Sequence, residues 1–396
     1  MKINKWTVAL AAAGLVSLTS ARAEEQPQLV PVLSAVSATT ISGYIDTSAQ
    51  WTLGTGGNNA PYAFNAGKHD GFNINTVDLR IAKAADDTQQ WSAGYMVDLM
   101  FGPDSDAITG GGNLRQAYID LRAPVGNGLD IKIGRFDSVL GYESTDSYKN
   151  ANFTRSYGYT LEPTEHTGII AHYAFAEWLS ADFGIANTVN TYGINQKGSV
   201  ESRKAILGLL TFTAPKNWGF LADDNLVFGI DNGGTLSSNS RTHIYVGTTL
   251  NTGLKGLTFG GSFDSTMHTD VNGFNTGYAE AWAGYIAYKP EQSKWGTALR
   301  AEYARGTALG VIGAINNNQP IAIVNGGFVD INGNPLLHKV FALTGTVSYD
   351  LWQNVLTRFE VRWDHALDGS NAFLGNGDTG KKKDEVSFIA NLVYKF

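Results

Sequence analysis

The chain has no cysteine in 396 residues, which excludes a disulfide framework and a lipid-anchored N-terminal cysteine. It also has no apolar run of about 20 residues, the length a helix needs to cross a bilayer. The apolar stretch over 8–18 falls short, and nothing later reaches that length without a charge, a turn residue or a polar face. Long helical periodicity is missing too, so helical and α/β domains fit poorly. Basic groups are the scarcer charge, 29 Lys and Arg against 36 Asp and Glu. That balance argues against nucleic-acid partners, which need a basic surface. No Pro-rich or Ser-rich linker divides the chain, so it reads as one unit.

Lys2 and Lys5, the uncharged apolar stretch after them, and Ala21-Arg22-Ala23 before Glu24 form the pattern of a secretory signal peptide over 1–23. Its removal takes away Lys2, Lys5 and Arg22 and leaves 26 basic against 36 acidic groups, a net charge of −10. The stretch 24–38 carries Pro27 and Pro31 and no firm pattern, and reads as a periplasmic lead.

Glycine, by contrast, is abundant, at 46 residues. Many short strands joined by Gly, Asn and Asp turns suit that composition. Sixteen runs of about 9–13 residues with period-two patterning, the length of a tilted membrane strand, can be placed over 39–396. Two are clearest. Ile41, Gly43, Ile45, Thr47, Ala49 and Trp51 alternate with Tyr44, Asp46, Ser48 and Gln50. Val355, Thr357, Phe359, Val361 and Trp363 alternate with Arg358, Glu360, Arg362 and Asp364. The final segment alternates in the same way and ends on Tyr394 and Phe396, the aromatic close expected of a last barrel strand and its assembly signal.

Periodicity alone does not say whether the charged face points out, as in a soluble sandwich, or in. Connection lengths do. Those after odd-numbered runs are mostly long and those after even-numbered runs mostly short, as in bacterial membrane barrels. Trp91, Trp178, Trp218, Trp295 and Trp352 cluster near the short turns, with Trp51 and Trp363 at the opposite strand ends and Trp282 mid-strand. Two interfacial girdles follow. In lipid an open sheet would leave edge N–H and C=O groups unpaired, so the first strand is expected to pair with the last. The reading is all-β: a closed antiparallel transmembrane β-barrel of about sixteen strands, wide enough for an aqueous lumen.

The most distinctive stretch runs over 134–173. It contains Gly134-Arg135-Phe136, Gly141-Tyr142-Glu143, Asn152, Thr154-Arg155-Ser156-Tyr157 and Glu162-Pro163-Thr164-Glu165-His166-Thr167-Gly168. This stretch resembles the OmpL-like β-barrel porin family. The resemblance implies passive diffusion of small hydrophilic solutes and ions, with no cofactor and no catalysis. By the same resemblance the third long connection, 139–163, folds inward and constricts the channel, and a homotrimer is expected. Expected partners are outer-membrane lipids and lipopolysaccharide, and the barrel assembly machinery.

That connection is dense in groups able to line a constriction: Glu143, Asp146, Lys149, Arg155 and Glu162, followed by Glu165. Facing them are expected Arg115, Arg135, Arg358 and Arg362, with Arg122, Asp78, Asp98 and Asp120. Opposed charges across a throat set a transverse field that filters ions and orients dipolar solutes. The second reading of the same residues is a fixed salt-bridged network holding the loop to the wall. Tyr142, Tyr148, Tyr157 and Tyr159 keep open a channel selective for sugars or oligosaccharides, in which rings stack on pyranoses. An enzyme or adhesin on a barrel scaffold, and a secreted soluble β protein, are further rivals. The seven His are scattered, and His166 and His172 would lie about 20 Å apart on one strand face, too far for one metal. The sequences following Asp270 and Asp330 look faintly like calcium loops but lack the rest of that motif.

Overall fold

The computed structural model describes residues 38–396 except 54–59, 61, 66–67, 69, 110–111, 190–192, 197, 199, 236–239, 270–276, 307–321, 325–326, 330–337, 369–372 and 374–381. The signal peptide, nearly all of the lead and both calcium-like stretches therefore lie outside the described residues.

The first strands are β1 (Thr40–Thr52), β2 (Gly71–Lys83), β3 (Ser92–Phe101), β4 (Leu114–Ala123), β5 (Leu129–Asp137), β6 (Glu165–Ala176) and β7 (Leu179–Ala186). Then come β8 (Ala205–Thr213), β9 (Asn225–Gly234), β10 (Ser240–Asn251), β11 (Leu257–Thr269), β12 (Gly277–Tyr288) and β13 (Trp295–Gly306). A small hairpin, β14 (Ala322–Val324) and β15 (Gly327–Val329), precedes β16 (Lys339–Trp352), β17 (Val355–Ala366) and β18 (Asp384–Lys395). All but the hairpin close into one antiparallel barrel of sixteen strands. The seam pairs β1 with β18 from Tyr44↔Lys395 to Thr52↔Ser387. It is extended by Phe396, whose N–H and C=O both bond Gly43 at 3.0 Å. No barrel edge is left to hydrocarbon, which is the condition for strands to span it.

The two faces of the strands settle their orientation. The apolar sides are exposed, with Ile41, Phe72, Ile74, Phe183, Ile206, Phe359 and Leu392 among them, while Asp46, Asp78, Asp98, Arg300, Glu302, Glu360, Arg362 and Asp364 are buried. A soluble sheet protein would show the reverse, so the apolar side faces lipid and the charged side faces the interior. Trp91, Trp178, Trp218, Trp295 and Trp352 are all exposed near the short-turn end, and Tyr394 and Phe396 point outward with them.

Strand bounds lie close to those read from the sequence, and the alternation of connection length holds. Short elements inside the connections were not foreseen. The second long connection contains a short helix, α1 (Pro103–Thr109), and the seventh contains the β14–β15 hairpin. The helix sits beyond an irregularity in the β3–β4 ladder, where Asp98 pairs with Gln116 but Leu99 with Leu114. Skipping one residue turns both Arg115 and Gln116 inward, and both are buried.

Candidate functional site: the loop across the lumen

The connection between β5 and β6 begins at a wall and crosses to the far side. It holds a 3-10 turn (Ser147–Lys149) and a short helix, α2 (Tyr157–Leu161). The Ser156 side chain caps α2 by accepting the Tyr159 N–H at 3.1 Å. Two glycines make close approaches feasible. Gly141 has φ +125° and leaves its Cβ position to the Glu162 carboxylate, and Gly260 on β11 leaves room for the Tyr142 hydroxyl.

Opposite its root the loop is held by charged side chains of β13 and β17 and by the Thr346 hydroxyl of β16. The Glu360 carboxylate accepts the Phe153 N–H at 2.6 Å and the Thr154 N–H at 2.9 Å, as well as the Thr154 and Thr346 hydroxyls. The Arg300 guanidinium donates to the Thr154 carbonyl at 2.5 Å and the Arg155 carbonyl at 3.2 Å, and pairs with Glu143 and Glu302, each at 2.7 Å. Arg362 donates to the Arg155 carbonyl at 2.6 Å, pairs with Asp364 at 2.9 Å and lies 3.7 Å over the Tyr62 ring. Arg358 donates to the Ser147 carbonyl at 2.8 Å and the Asn150 carbonyl at 3.0 Å. Glu302 accepts the Tyr157 N–H at 2.7 Å, and the Tyr157 hydroxyl donates to Asp364 at 2.9 Å.

A second anchor lies toward β1, β2 and β4. Asp146 accepts from Arg80, from Arg115 at 2.6 Å and from Lys149 at 2.8 Å, while the Ser147 hydroxyl donates to Asp46. Burial alone would raise the Asp146 carboxyl, but Arg115, Arg80 and Lys149 outweigh it and hold the group well below the usual carboxylate range. Glu162 has no such set of cations. Burial, then the neighbouring Asp264 and Glu143 carboxylates, push it well above its ordinary value.

The residues expected at the constriction are thus brought together, but in different roles. Asp146, Arg155, Glu162, Glu165, Arg115, Arg135, Arg358 and Arg362 are all buried. Glu143, also buried at its side chain, pairs with Arg300. Arg155 donates to the Phe153 and Thr145 carbonyls and lies over the edge-on ring pair Phe64 and Tyr159. Arg135 bonds Glu165 at 3.0 Å and the Arg115 carbonyl at 3.0 Å. Away from the loop's anchors, Arg122 pairs with Asp130 at 2.7 Å, and Asp120 lies opposite Lys132 across the β4–β5 ladder. Of the charged loop residues named from the sequence, Lys149 is the one with an open side chain, 53% exposed. The tyrosines divide similarly. Tyr157 and Tyr159 are buried, Tyr148 packs edge-on against Tyr44, and Tyr142 stacks on Tyr285 at 4.2 Å.

Spaces of solute size adjoin the loop on two sides. One, of about 370 Å³, lies between the loop residues Tyr142, Lys149 and Asn152 and the wall residues Asn225, Tyr245, Thr249 and Tyr285. The other, of about 340 Å³, is lined by Gln116, Lys132, Asp137, His172 and Asp182. The anchors Arg80, Arg300, Glu302 and Glu360 and the wall residues Asn225, Tyr245, Thr249 and Tyr285 were not singled out from the sequence. The signal was present for Arg300 and Glu302, which alternate with apolar residues just as Arg358 and Arg362 do.

Similarity to known proteins agrees with this geometry. No curated protein matches the chain. Among solved structures, it is similar to an anion-selective porin from Comamonas acidovorans, at 12% identity and TM-score 0.58 over 90% of this chain and 99% of that one. It is also similar to Salmonella typhi OmpF in complex with daunomycin, at 11% identity and TM-score 0.56 over 90% and 97%. A third is the in-vitro folded trimer form of Vibrio cholerae OmpT, at 10% identity and TM-score 0.54 over 90% and 99%. At these identities the likeness is one of fold. The family model described as "Putative beta-barrel porin-2, OmpL-like" matches residues 38–396, so the chain belongs to this family of outer-membrane β-barrel porins.

Proposed function

We propose that the loop over 139–163 sets the bore of this porin, and that solutes diffuse past its unanchored face rather than past its arginine-bound one. The observation that carries this reading is the burial of Arg300, Arg358 and Arg362 beneath the loop backbone. In that arrangement the wall arginines serve as clamps and are withdrawn from the water path. The charge left beside the path is Lys149, with Tyr142, Tyr245, Tyr285 and the amide and hydroxyl groups around them. Passage is passive and needs no turnover chemistry.

The protein works in the outer membrane, where its aromatic girdles and apolar belt meet lipid and lipopolysaccharide. Export would use the signal peptide over 1–23 with its cleavage, and insertion would use the barrel assembly machinery reading Tyr394 and Phe396. A homotrimer is the proposed assembly, in line with the trimer form of the Vibrio cholerae protein. Purified full-length protein in a planar lipid bilayer should give stepwise, ohmic ion currents. Absence of conductance from protein shown to be folded would overturn the proposal.

A further inference from the structure

We propose that the 370 Å³ space between the loop and β9–β12 is a binding subsite for a neutral polyhydroxylated solute the size of a mono- or disaccharide. This rests on the reading that solutes pass the unanchored face of the loop. Three features of the space argue for it.

The first is aromatic. Tyr142 and Tyr285 stack at 4.2 Å with an interplanar angle of 21°, and Tyr245 completes a tyrosine-lined side. Gly260 keeps the Tyr142 ring in place, since any side chain there would overlap its hydroxyl. Aromatic platforms of this kind present an apolar face with polar edges, which suits a pyranose, whose C–H face is apolar and whose rim carries hydroxyls.

The second is charge. The two ionised groups at the space are already compensated, Glu143 by Arg300 at 2.7 Å and Lys149 by Asp146 at 2.8 Å. A cation would find no free carboxylate there, and an anion would have to draw the half-exposed Lys149 away from Asp146, so a neutral solute loses least on entry.

The third is hydrogen-bonding capacity. Asn225 accepts the Thr249 N–H at 2.9 Å through its side-chain oxygen, and Asn152 donates its amide to Thr346 at 2.7 Å. The Asn225 NH2 and the Asn152 side-chain oxygen are left to a ligand, one a donor and the other an acceptor, as paired hydroxyls require. The volume lies in the range of about 300–1,000 Å³ of small-molecule sites, and a weak site of this kind slows a solute without trapping it.

The experiment titrates maltose against the single-channel current of the full-length protein, with glutamate as a charged comparator. Maltose should reduce the current saturably while glutamate does not. Tyr142→Ala should weaken the block about tenfold, the equivalent of one lost aromatic contact, while Tyr142→Phe should retain it. Heat-modifiable gel mobility checks that each variant is folded. Undiminished current at high maltose, or equal block in Tyr142→Ala, would overturn the subsite while leaving the porin reading intact. Should folded protein pass no ions, the porin reading fails by itself, and calorimetry of maltose on the detergent-solubilised barrel then decides the subsite. Binding heat lost in Tyr142→Ala would support it, and no heat would overturn it.

Discussion

The two sides of the loop over 139–163 use the same barrel wall in opposite ways. Against β13 and β17 the wall supplies buried arginines and carboxylates that bond loop carbonyls and N–H groups. Against β9–β12 it lines the space with glycine, tyrosine, threonine and asparagine, and its one arginine contact, from Arg241 to the Leu161 carbonyl, falls at the end of the loop. Buried charge repays its desolvation only when every partner is in place, so the first side is rigid by construction. The second side makes contact through rings and keeps its hydroxyls and amides, which leaves room for water and solute.

The sharpest way to break this contrast is Arg300→Ala. It strips the Thr154 carbonyl of its donor, leaves the Arg155 carbonyl to Arg362 alone, and leaves Glu143 and Glu302 buried without their main cation, at a cost of about 3–5 kcal/mol. The loop should detach while the barrel persists. Single-channel conductance should rise and become noisy, and protease should cut within 139–163. A quiet channel of unchanged conductance would show that the clamp is dispensable. Next is Glu360→Gln, which keeps the shape but turns an NH2 toward donors that now meet a carboxylate. A loss of about 1.5–3 kcal/mol, as for a hydrogen bond to a charged group, should appear as more frequent gating and a lowered unfolding temperature. Lys149→Gln acts on the open side instead. It should leave stability within about 0.5 kcal/mol of the parent, as surface changes do, and shift the reversal potential in a salt gradient toward cations. An unmoved reversal potential would remove Lys149 from the water path.

Much of this was legible before the structure, for physical reasons. Period-two alternation and connection parity follow directly from spanning a bilayer, so sixteen strands, their closure and the inward charge could be read from residues such as those of 41–51 and 355–364. The motif residues around Glu143, Arg155 and Glu162 also pointed to the loop. What stayed hidden was which partner each charge takes. Arg358 and Arg362 on the wall and Glu143 on the loop look like opposed poles in a list of residues. Only the path of the backbone, turned at Gly141 and capped at Ser156, shows that loop carbonyls reach the arginines first. Arg115 was expected at the constriction, but what aims it inward was hidden, a one-residue irregularity beside Asp98 that period-two counting passes over. The tyrosine-lined wall was missed because Tyr245 and Tyr285 stand in strands far from the loop in sequence.

Glu162 offers the finest test, because it sits between the two sides. Its carboxyl lies among other carboxylates and is pushed up in the folded protein, first by burial and then by Asp264 and Glu143. An acid raised on folding contributes stability that is complete below its unfolded value of about 4.3. That contribution is lost as pH rises through the folded value. Glu162→Gln fixes the neutral form, so parent and variant should melt together near pH 4, and the variant should melt higher than the parent in alkaline buffer. The difference should be confined to the alkaline side, since one group is involved and the clamp across the lumen is untouched. A variant less stable than the parent at high pH would mean that the fold favours the charged form of Glu162. In that case the boundary between the locked and open sides would have to be drawn one residue group further along the loop.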